Sequence, residues 1–459
     1  MSAYTQLCSG VFFPIHERLK GHDSVSLRKQ LEASQWLSSE ELGRQQVTRL
    51  RNFLCVVART VPYYQRVFAR TGFDPGTLTS LADLEPVPRL TKSTIRENVE
   101  ELKSAEAGKL IRYNTGGSSG EPLVFYMGLD RVTHDVAAKW RATRWWSVDI
   151  GDPEIVLWGS PVELKRQDRV KALRDFLLRS WLLPAFEMSD AKMTEYLQTI
   201  RRIRPRMLFG YASALALLAG HARAMSVPMS DLGVKVVFTT GETLYPDQRQ
   251  IIEETFGAPV ANGYGSRDAG FIAHQCPSGS LHLTAEHIVV ELLDEEGIPV
   301  APGETGEIVV THLATRDFPF IRYRTGDMAA FGTERCACGR GLPVLKSVFG
   351  RSTDFIRTRS GNAMHALALI YEVRDKPGVQ AFKFIQAEDL SIELQLVAGP
   401  ELTAQVESDI VAGLQRRLGA DTPLKVTRVE RIPAEKSGKY RYVVSRATAP
   451  AAPASSLQR

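Results

Sequence analysis

A chain of 459 residues is too long for one ordinary core, so two or three units are expected. With 44% hydrophobic and 24% charged residues it has the composition of an ordinary soluble globular protein, and a net charge of +5, spread along the chain, does not demand a nucleic-acid partner. Five cysteines, an odd number, do not suggest a disulfide framework, and Val11-Phe12-Phe13 is broken by Pro14, so neither a signal peptide nor a membrane span is expected and the cytoplasm is the natural compartment.

Residues 24–72 read as helical, with Leu27, Leu31, Leu42, Leu50, Leu54 and Val57 among their apolar positions, a helix start at Ser38-Ser39-Glu40-Glu41 and an interruption at Pro62. A helix is expected over residues 129–146, with Trp140, Trp145 and Trp146 near its end. Glu154 to Ser160, Met207 to Tyr211, Lys235 to Glu242 and Pro259 to Gly265 read as strands alternating with helices, the pattern of a parallel sheet. Ligands of such sheets sit beyond the carboxyl ends of the strands, which places Gly241, Glu242 and Asn262 to Gly265 on one rim. Short strands with Gly/Asp turns suggest a β-rich subdomain over about 281–349. A boundary falls near Gly350-Arg351, and residues 351–446 fit a small α+β domain. Residues 447–459, rich in Ala, Pro and Ser, are expected to be disordered.

The stretch Asn114-Thr115-Gly116-Gly117-Ser118-Ser119-Gly120 joins two strand-like runs. Its glycines let backbone pass close to a ligand, and its hydroxyls and amides can wrap a polyphosphate, although an exposed Gly/Ser turn has the same composition. It lacks the Gly-Lys-Ser/Thr ending of the common nucleotide-triphosphatase loop. Tyr264-Gly265-Ser266-Arg267-Asp268, Arg322-Tyr323-Arg324-Thr325-Gly326-Asp327, Gly350-Arg351-Ser352-Thr353-Asp354 and Ser437-Gly438-Lys439 follow in order. Together these runs resemble the adenylate-forming superfamily of acyl-CoA synthetases, peptide-synthetase adenylation domains and luciferases. Within it the chain is most similar to the phenylacetate-CoA ligase group. Its opening, Phe13 to Gly21, also resembles relatives associated with capsular polysaccharide synthesis. The likeness runs from about the first helix to Arg441.

The resemblance implies an α/β fold: a large N-terminal domain (1–350) of parallel α/β sheets with the β-rich subdomain, then a small mobile C-terminal domain (351–446). It implies an ATP-dependent carboxylic acid–CoA ligase that forms an acyl-AMP and transfers the acyl group to CoA. The modest positive charge would suit ATP and CoA. Thr115, Gly116, Gly117, Ser118, Ser119 and Gly120 would hold phosphates. Gly241, Glu242, Asn262, Gly263, Tyr264, Gly265 and Ser266 would line the nucleotide site, with Tyr264 stacked on adenine. Asp327 would accept both ribose hydroxyls. Asp268 stands where the family has Glu, as ligand of Mg2+, and Arg267 replaces a hydroxyl residue there; it would contact phosphate or pair with Asp268. Arg351 lies near ribose and phosphate at the domain junction, Thr353 and Asp354 at the hinge. Lys439 would be the lysine that the small domain swings onto the carboxylate and α-phosphate. The acid pocket would draw on Trp145, Trp146, Tyr211, Ala212, Gly241 and Asn262, whose aromatic character suits an aryl or medium apolar acid.

Cys276, Cys336 and Cys338 lie in polar turns, with His282 close to the first. Three thiols and one imidazole make a structural zinc set, with His274 and His287 competing for the histidine position and free loop thiols as the alternative. Two other readings of the chain stand beside the CoA ligase. One passes the adenylate to a carrier protein, amine or sugar acceptor, and the other is a non-catalytic zinc-containing scaffold. A monomer or homodimer fits either enzyme reading.

Overall fold

The computed structural model describes residues 2–114, 123–158, 169–185, 188–351, 355–357, 359, 363–365, 367–374, 376–419, 421–433 and 441–447. The chain divides into two compact units, one built on Met1–Val348 and the other on residues from Phe349 onward.

Helices open the first unit. Ser38 caps Ser39–Thr60 by accepting from the Glu41 amide at 3.1 Å, with Glu40 and Glu41 in the first turn where the helix dipole favours carboxylates. Val61 leaves helical geometry and Pro62 begins the next helix, Pro62–Thr71, at the position where its missing N–H costs nothing. Leu50, Leu54, Val57, Tyr64 and Phe68 fill the core beneath. A two-stranded hairpin, β1 (Ile111–Asn114) and β2 (Val124–Met127), flanks the glycine-rich stretch.

The rest of the unit is organised on one eleven-stranded sheet. Its strands are β3 (Glu154–Trp158), β4 (Ser180–Pro184), β5 (Met207–Gly210), β6 (Val236–Thr240), β7 (Val260–Ser266), β8 (Gly270–Gln275), β9 (Leu281–Leu283), β10 (Ile288–Leu293), β11 (Thr305–His312), β12 (Tyr323–Phe331) and β13 (Val344–Arg351). Their spatial order is β10-β11-β12-β13-β9-β8-β7-β6-β5-β3-β4. β4, β3, β5, β6 and β7 run parallel, whereas β7, β8 and β9 pair antiparallel, as do β10, β11 and β12. The β-rich segment therefore continues the parallel sheet and is not a separate sheet. The run 297–300 forms only an isolated bridge, Leu293 to Pro299.

Side chains alternate across the parallel part. Val237 and Val260 face the helices Asp190–Ile203, Ala212–Ala224 and Pro246–Phe256. Met207, Phe209, Val236, Phe238 and Ala261 face the other way, onto Ala142 and Trp146 at the end of helix Leu129–Trp145.

In the second unit, β16 (Val379–Gln386) and β17 (Ile392–Ala398) are antiparallel, with β18 (Leu424–Arg428) parallel to β17 and β19 (Val443–Ser445) parallel to β16. β14 (Phe355–Arg357) and β15 (Ala363–His365) form a separate hairpin. Phe382, Phe384, Ile392, Leu394 and Leu396 are buried, as are Ile410 and Leu414 of helix Ala404–Leu418. No described helix is long and apolar enough to cross a membrane.

Candidate active site

The residues that the sequence assigned to a nucleotide site gather at the rim beyond the parallel strands. β6 ends at Thr240, and Gly241 follows beside Tyr211 and Trp158, whose rings stack at 4.2 Å. Glu242 accepts from the Ser213 amide at 3.0 Å, so its carboxylate holds the first turn of helix Ala212–Ala224. Ala212 is the first residue of that helix and fully buried. Asn262 is fixed through its backbone N–H, which donates to the Gln275 side chain at 3.0 Å. β7 then carries Gly263, Tyr264, Gly265 and Ser266 up to the turn. The register between β7 and β8 shifts at Gly265, and a Cβ there would lie 2.2 Å from the Gly270 carbonyl, so only glycine fits.

The RYRTGD run divides its labour residue by residue. Arg322 is 5% exposed and has φ +48°. Its guanidinium donates to the carbonyls of Leu84, Glu85 and Val87 and pairs with Glu291 at 2.9 Å. Tyr323, fully buried, donates its hydroxyl to Asp268 at 2.6 Å. Arg324 pairs with Glu307. Between Arg324 and Met328 the ladder with β11 breaks. Val309 faces Arg324 and Glu307 faces Met328, so Thr325, Gly326 and Asp327 together oppose Ile308. Gly326 takes φ +78°, and the Thr325 hydroxyl donates to the Ile308 carbonyl while receiving the Asp327 amide. This bulge brings Asp327 to β7, where Tyr264 donates to its carboxylate at 2.9 Å. Burial, then the Asp327 charge, raises the Tyr264 phenol well above its ordinary value, so it stays a donor.

Asp268, 6% exposed, sits in the turn between β7 and β8. Burial alone would raise its carboxyl. The Ser266 and Tyr323 hydroxyls and the nearby Lys92 charge together outweigh burial and lower it, so it stands ionised. Arg131 holds the same turn from behind, donating to the Asp268 and Arg267 carbonyls at 3.1 and 3.2 Å and pairing with Asp135 at 3.0 Å. The Arg267 guanidinium reaches the Asn114 carbonyl at 3.1 Å, at the entrance to the glycine-rich stretch. An ionised carboxylate, a cation and the end of β1 thus share one edge of the site. This is a donor and acceptor set suited to a metal-bound polyphosphate.

Thr115, Gly116, Gly117, Ser118, Ser119, Gly120, Thr353, Asp354 and Lys439 lie outside the described residues. Arg351 is described as backbone, at the end of β13. The two tryptophans expected in the acid pocket part company. Trp145 donates to the Gln35 side chain at 2.8 Å and packs on His282 and Leu342, away from the Gly241 rim. Trp146 donates to the Gln275 carbonyl and packs on Phe238. Sequence reasoning did not single out Arg131, nor Tyr323 as the partner of Asp268; their roles come from contacts across more than fifty residues of chain.

Directly below the rim, on the face toward helix Leu129–Trp145, lies a cavity of about 10 Å³, room for one water. Phe209, Phe238 and Phe271 wall it, and Lys139, Thr240 and His274 reach it. Burial, helped by the Arg141 and His134 charges, pushes His274 down to about 3, so the imidazole is neutral.

The described residues contain a Cys/His group whose geometry fits a tetrahedral metal. The ligand atoms of Cys276, His282, Cys336 and Cys338 all lie within 4.8 Å of one another. Cys276 Sγ is 3.6 Å from Cys336 Sγ, and Cys338 Sγ is 3.2 Å from His282 Nε2. Four ligands at zinc–sulfur and zinc–nitrogen bond lengths give edges of roughly 3.5–3.8 Å. His282 Nδ1 lies 3.1 Å from the Leu342 carbonyl, which fixes the tautomer that leaves Nε2 free to ligate. Of the three histidines considered, His282 is therefore the one in place. His274 lines the cavity and His287 packs on His134.

Residues 179–314 match the family described as AMP-binding enzyme, and residues 356–446 match the CapK C-terminal domain. Protein CapK of Staphylococcus aureus is 23% identical over 416 residues, which is 88% of this chain and 89% of that protein. The phenylacetate-coenzyme A ligase of Thermus thermophilus is 25% identical over 342 residues, 71% of this chain and 74% of that one. Among solved structures, 2-hydroxyisobutyryl-CoA ligase in its postadenylation state superposes with a TM-score of 0.73 at 21% identity, covering 90% of this chain and 91% of that one. ATP-bound MatB from Rhodopseudomonas palustris gives a TM-score of 0.51 at 18% identity, covering 72% and 66%. The order of these segments, the mixed sheet and the small α+β unit place the chain in the adenylate-forming superfamily, with a resemblance to CapK.

Proposed function

We propose that this protein is an ATP-dependent carboxylic acid–CoA ligase. The observation that carries the reading is the linked pair of contacts Tyr264–Asp327 and Tyr323–Asp268, which joins two separate sequence motifs into one site beyond the strand ends. Tyr264 offers a ring face for adenine, and the Asp327 carboxylate can accept two hydroxyls of a ribose. Asp268, ionised, would hold Mg2+ with the phosphates of ATP; the ion's charge would stabilise the leaving pyrophosphate. Arg267 and the Thr115–Gly120 stretch would face the same phosphates.

In this reading a carboxylate oxygen attacks the α-phosphorus. The new bond is carboxyl O–P, the bond to the β-phosphate oxygen breaks, and pyrophosphate leaves. Lys439 would screen the two anions as they meet. The CoA thiolate then attacks the acyl carbonyl and AMP departs with the C–O bond electrons. The chain's contribution is positioning and charge placement. Cys276, His282, Cys336 and Cys338 would hold a closed structural zinc that braces the turns after β8 and before β13.

A second reading keeps the adenylate but gives it to a carrier-protein thiol, an amine or a sugar hydroxyl. The match to the CapK C-terminal domain and the near full-length alignment with Protein CapK favour it. Pyrophosphate release with an acid panel tests both readings. Mass detection of an acyl-CoA supports the first; adenylate formation with CoA left unmodified supports the second.

A further inference from the structure

We propose that the acid activated here is small and carries a hydroxyl group, and that His274 recognises that hydroxyl at the floor of the cavity. The inference rests on the adenylation reading, because the cavity matters only if a carboxylate is held at the rim above it.

Position comes first. Thr240 and Gly263 are the cavity-facing residues nearest the ends of β6 and β7, immediately before Gly241 and Tyr264. A carboxylate at the rim, in line with a nucleotide on Tyr264 and Asp327, would direct its carbon chain between these strands and helix Leu129–Trp145. Size is the second constraint. At about 10 Å³ the space takes one water-sized group. Phe209, Phe238 and Phe271 wall that space, so a ring entering it would have to displace one of theirs.

Chemistry is the third. His274 is 3% exposed, and neither of its ring nitrogens has a hydrogen-bond partner. Burying such a group unpaired is costly. The ring nitrogens of an imidazole can offer an N–H or a lone pair, which a hydroxyl can answer as acceptor or donor. Of the other polar groups at the cavity, Thr143 and Lys139 already have partners. The Thr143 hydroxyl donates to the Trp140 carbonyl. The Lys139 ammonium lies 4.0 Å from Glu154 and 4.4 Å from the centre of the Phe209 ring.

The test uses the full-length protein with ATP and Mg2+, following pyrophosphate release. Lactate is compared with propionate, 3-hydroxybutyrate with butyrate, and both pairs with phenylacetate. We expect at least one hydroxy acid to exceed its deoxy partner in kcat/KM by roughly a hundredfold or more. His274→Phe should bring that ratio to within about threefold, with the KM for ATP unchanged. His274→Asn, which keeps a donor and an acceptor, should restore part of the preference and covers the case in which the phenylalanine variant fails to fold. Turnover of phenylacetate above all the small acids would overturn the inference and leave the adenylation reading standing. A preference unchanged in both variants would show that the imidazole holds only water. No acid-dependent pyrophosphate release with any of these acids would remove the adenylation reading and this inference together.

Discussion

Arg322 and Asp327 belong to one six-residue run, yet the structure gives them opposite jobs, and a pair of variants separates them. Arg322→Met removes a buried guanidinium that serves three backbone carbonyls and Glu291. Breaking a buried pair by taking one partner costs roughly 3–5 kcal/mol. The first unit should therefore melt on the order of 10 °C lower. Burial already raises the Glu291 carboxyl, with Arg322 opposing it. Without Arg322 the carboxyl can take a proton, so the loss should shrink as pH falls. Asp327→Asn keeps an acceptor for the Tyr264 hydroxyl, and its effect on melting should stay within about 1 kcal/mol. Its KM for ATP should rise at least about tenfold, because a charge-assisted contact to ribose is worth roughly 1.5–3 kcal/mol. Denaturant titration and ATP–pyrophosphate exchange at a temperature where both variants are folded give the two readouts. An Arg322 variant of normal stability, or an Asp327 variant that melts early with an unchanged KM, would refute this division.

Lys439→Ala should slow adenylation at least about a hundredfold while ATP binding is kept, since one transition-state charge contact is worth roughly 3 kcal/mol. Thioester formation from supplied acyl-AMP should fall far less, and equal losses in both half-reactions would reject the role. Elemental analysis should find about one zinc per chain, and Cys336→Ser should lower both metal content and melting temperature while activity survives wherever the variant stays folded. Burial lowers His287 and His312 well below the ordinary imidazole value. The unfolded chain then binds protons below about pH 6.5 that the native chain refuses, so stability should fall as pH drops through that point. Each such group removes up to about 1.4 kcal/mol per pH unit. Urea midpoints at pH 7.5 and 5.5, both with chelator so that metal release does not contribute, measure the loss; equal midpoints would contradict it.

The parts of this fold that repeat a local rule were legible from residues. The Ser38 helix cap, the Pro62 break and the alternation of strands with helices through β7 follow from capping, proline geometry and hydrophobic period. The continuation of the sheet through β8 to β13 was not legible. Short strands with turns look alike whether they form their own sheet or extend another, and only long-range pairing decides. The same holds at the site. Tyr264, Asp268 and Asp327 could be named from their motifs. Arg131 could not, because a lone arginine on a helix carries no local sign of the carbonyls it meets 136 residues on. Trp145 is a different case: the resemblance implied a place in the acid pocket, while its indole N–H donates to Gln35 beside the Cys/His group, a contact that the sequence did not show. For that group, cysteines in polar turns pointed to the set, but choosing His282 over His274 and His287 needed the distances.

Acid-dependent exchange of labelled pyrophosphate into ATP by the purified protein tests the central claim most directly. The account predicts exchange that requires both Mg2+ and a carboxylic acid, falls at least about a hundredfold in Lys439→Ala, and yields a hydroxamate when hydroxylamine traps the acyl adenylate. Folded protein that binds ATP but catalyses no exchange with any acid, with Lys439→Ala indistinguishable from the unaltered chain, would contradict it.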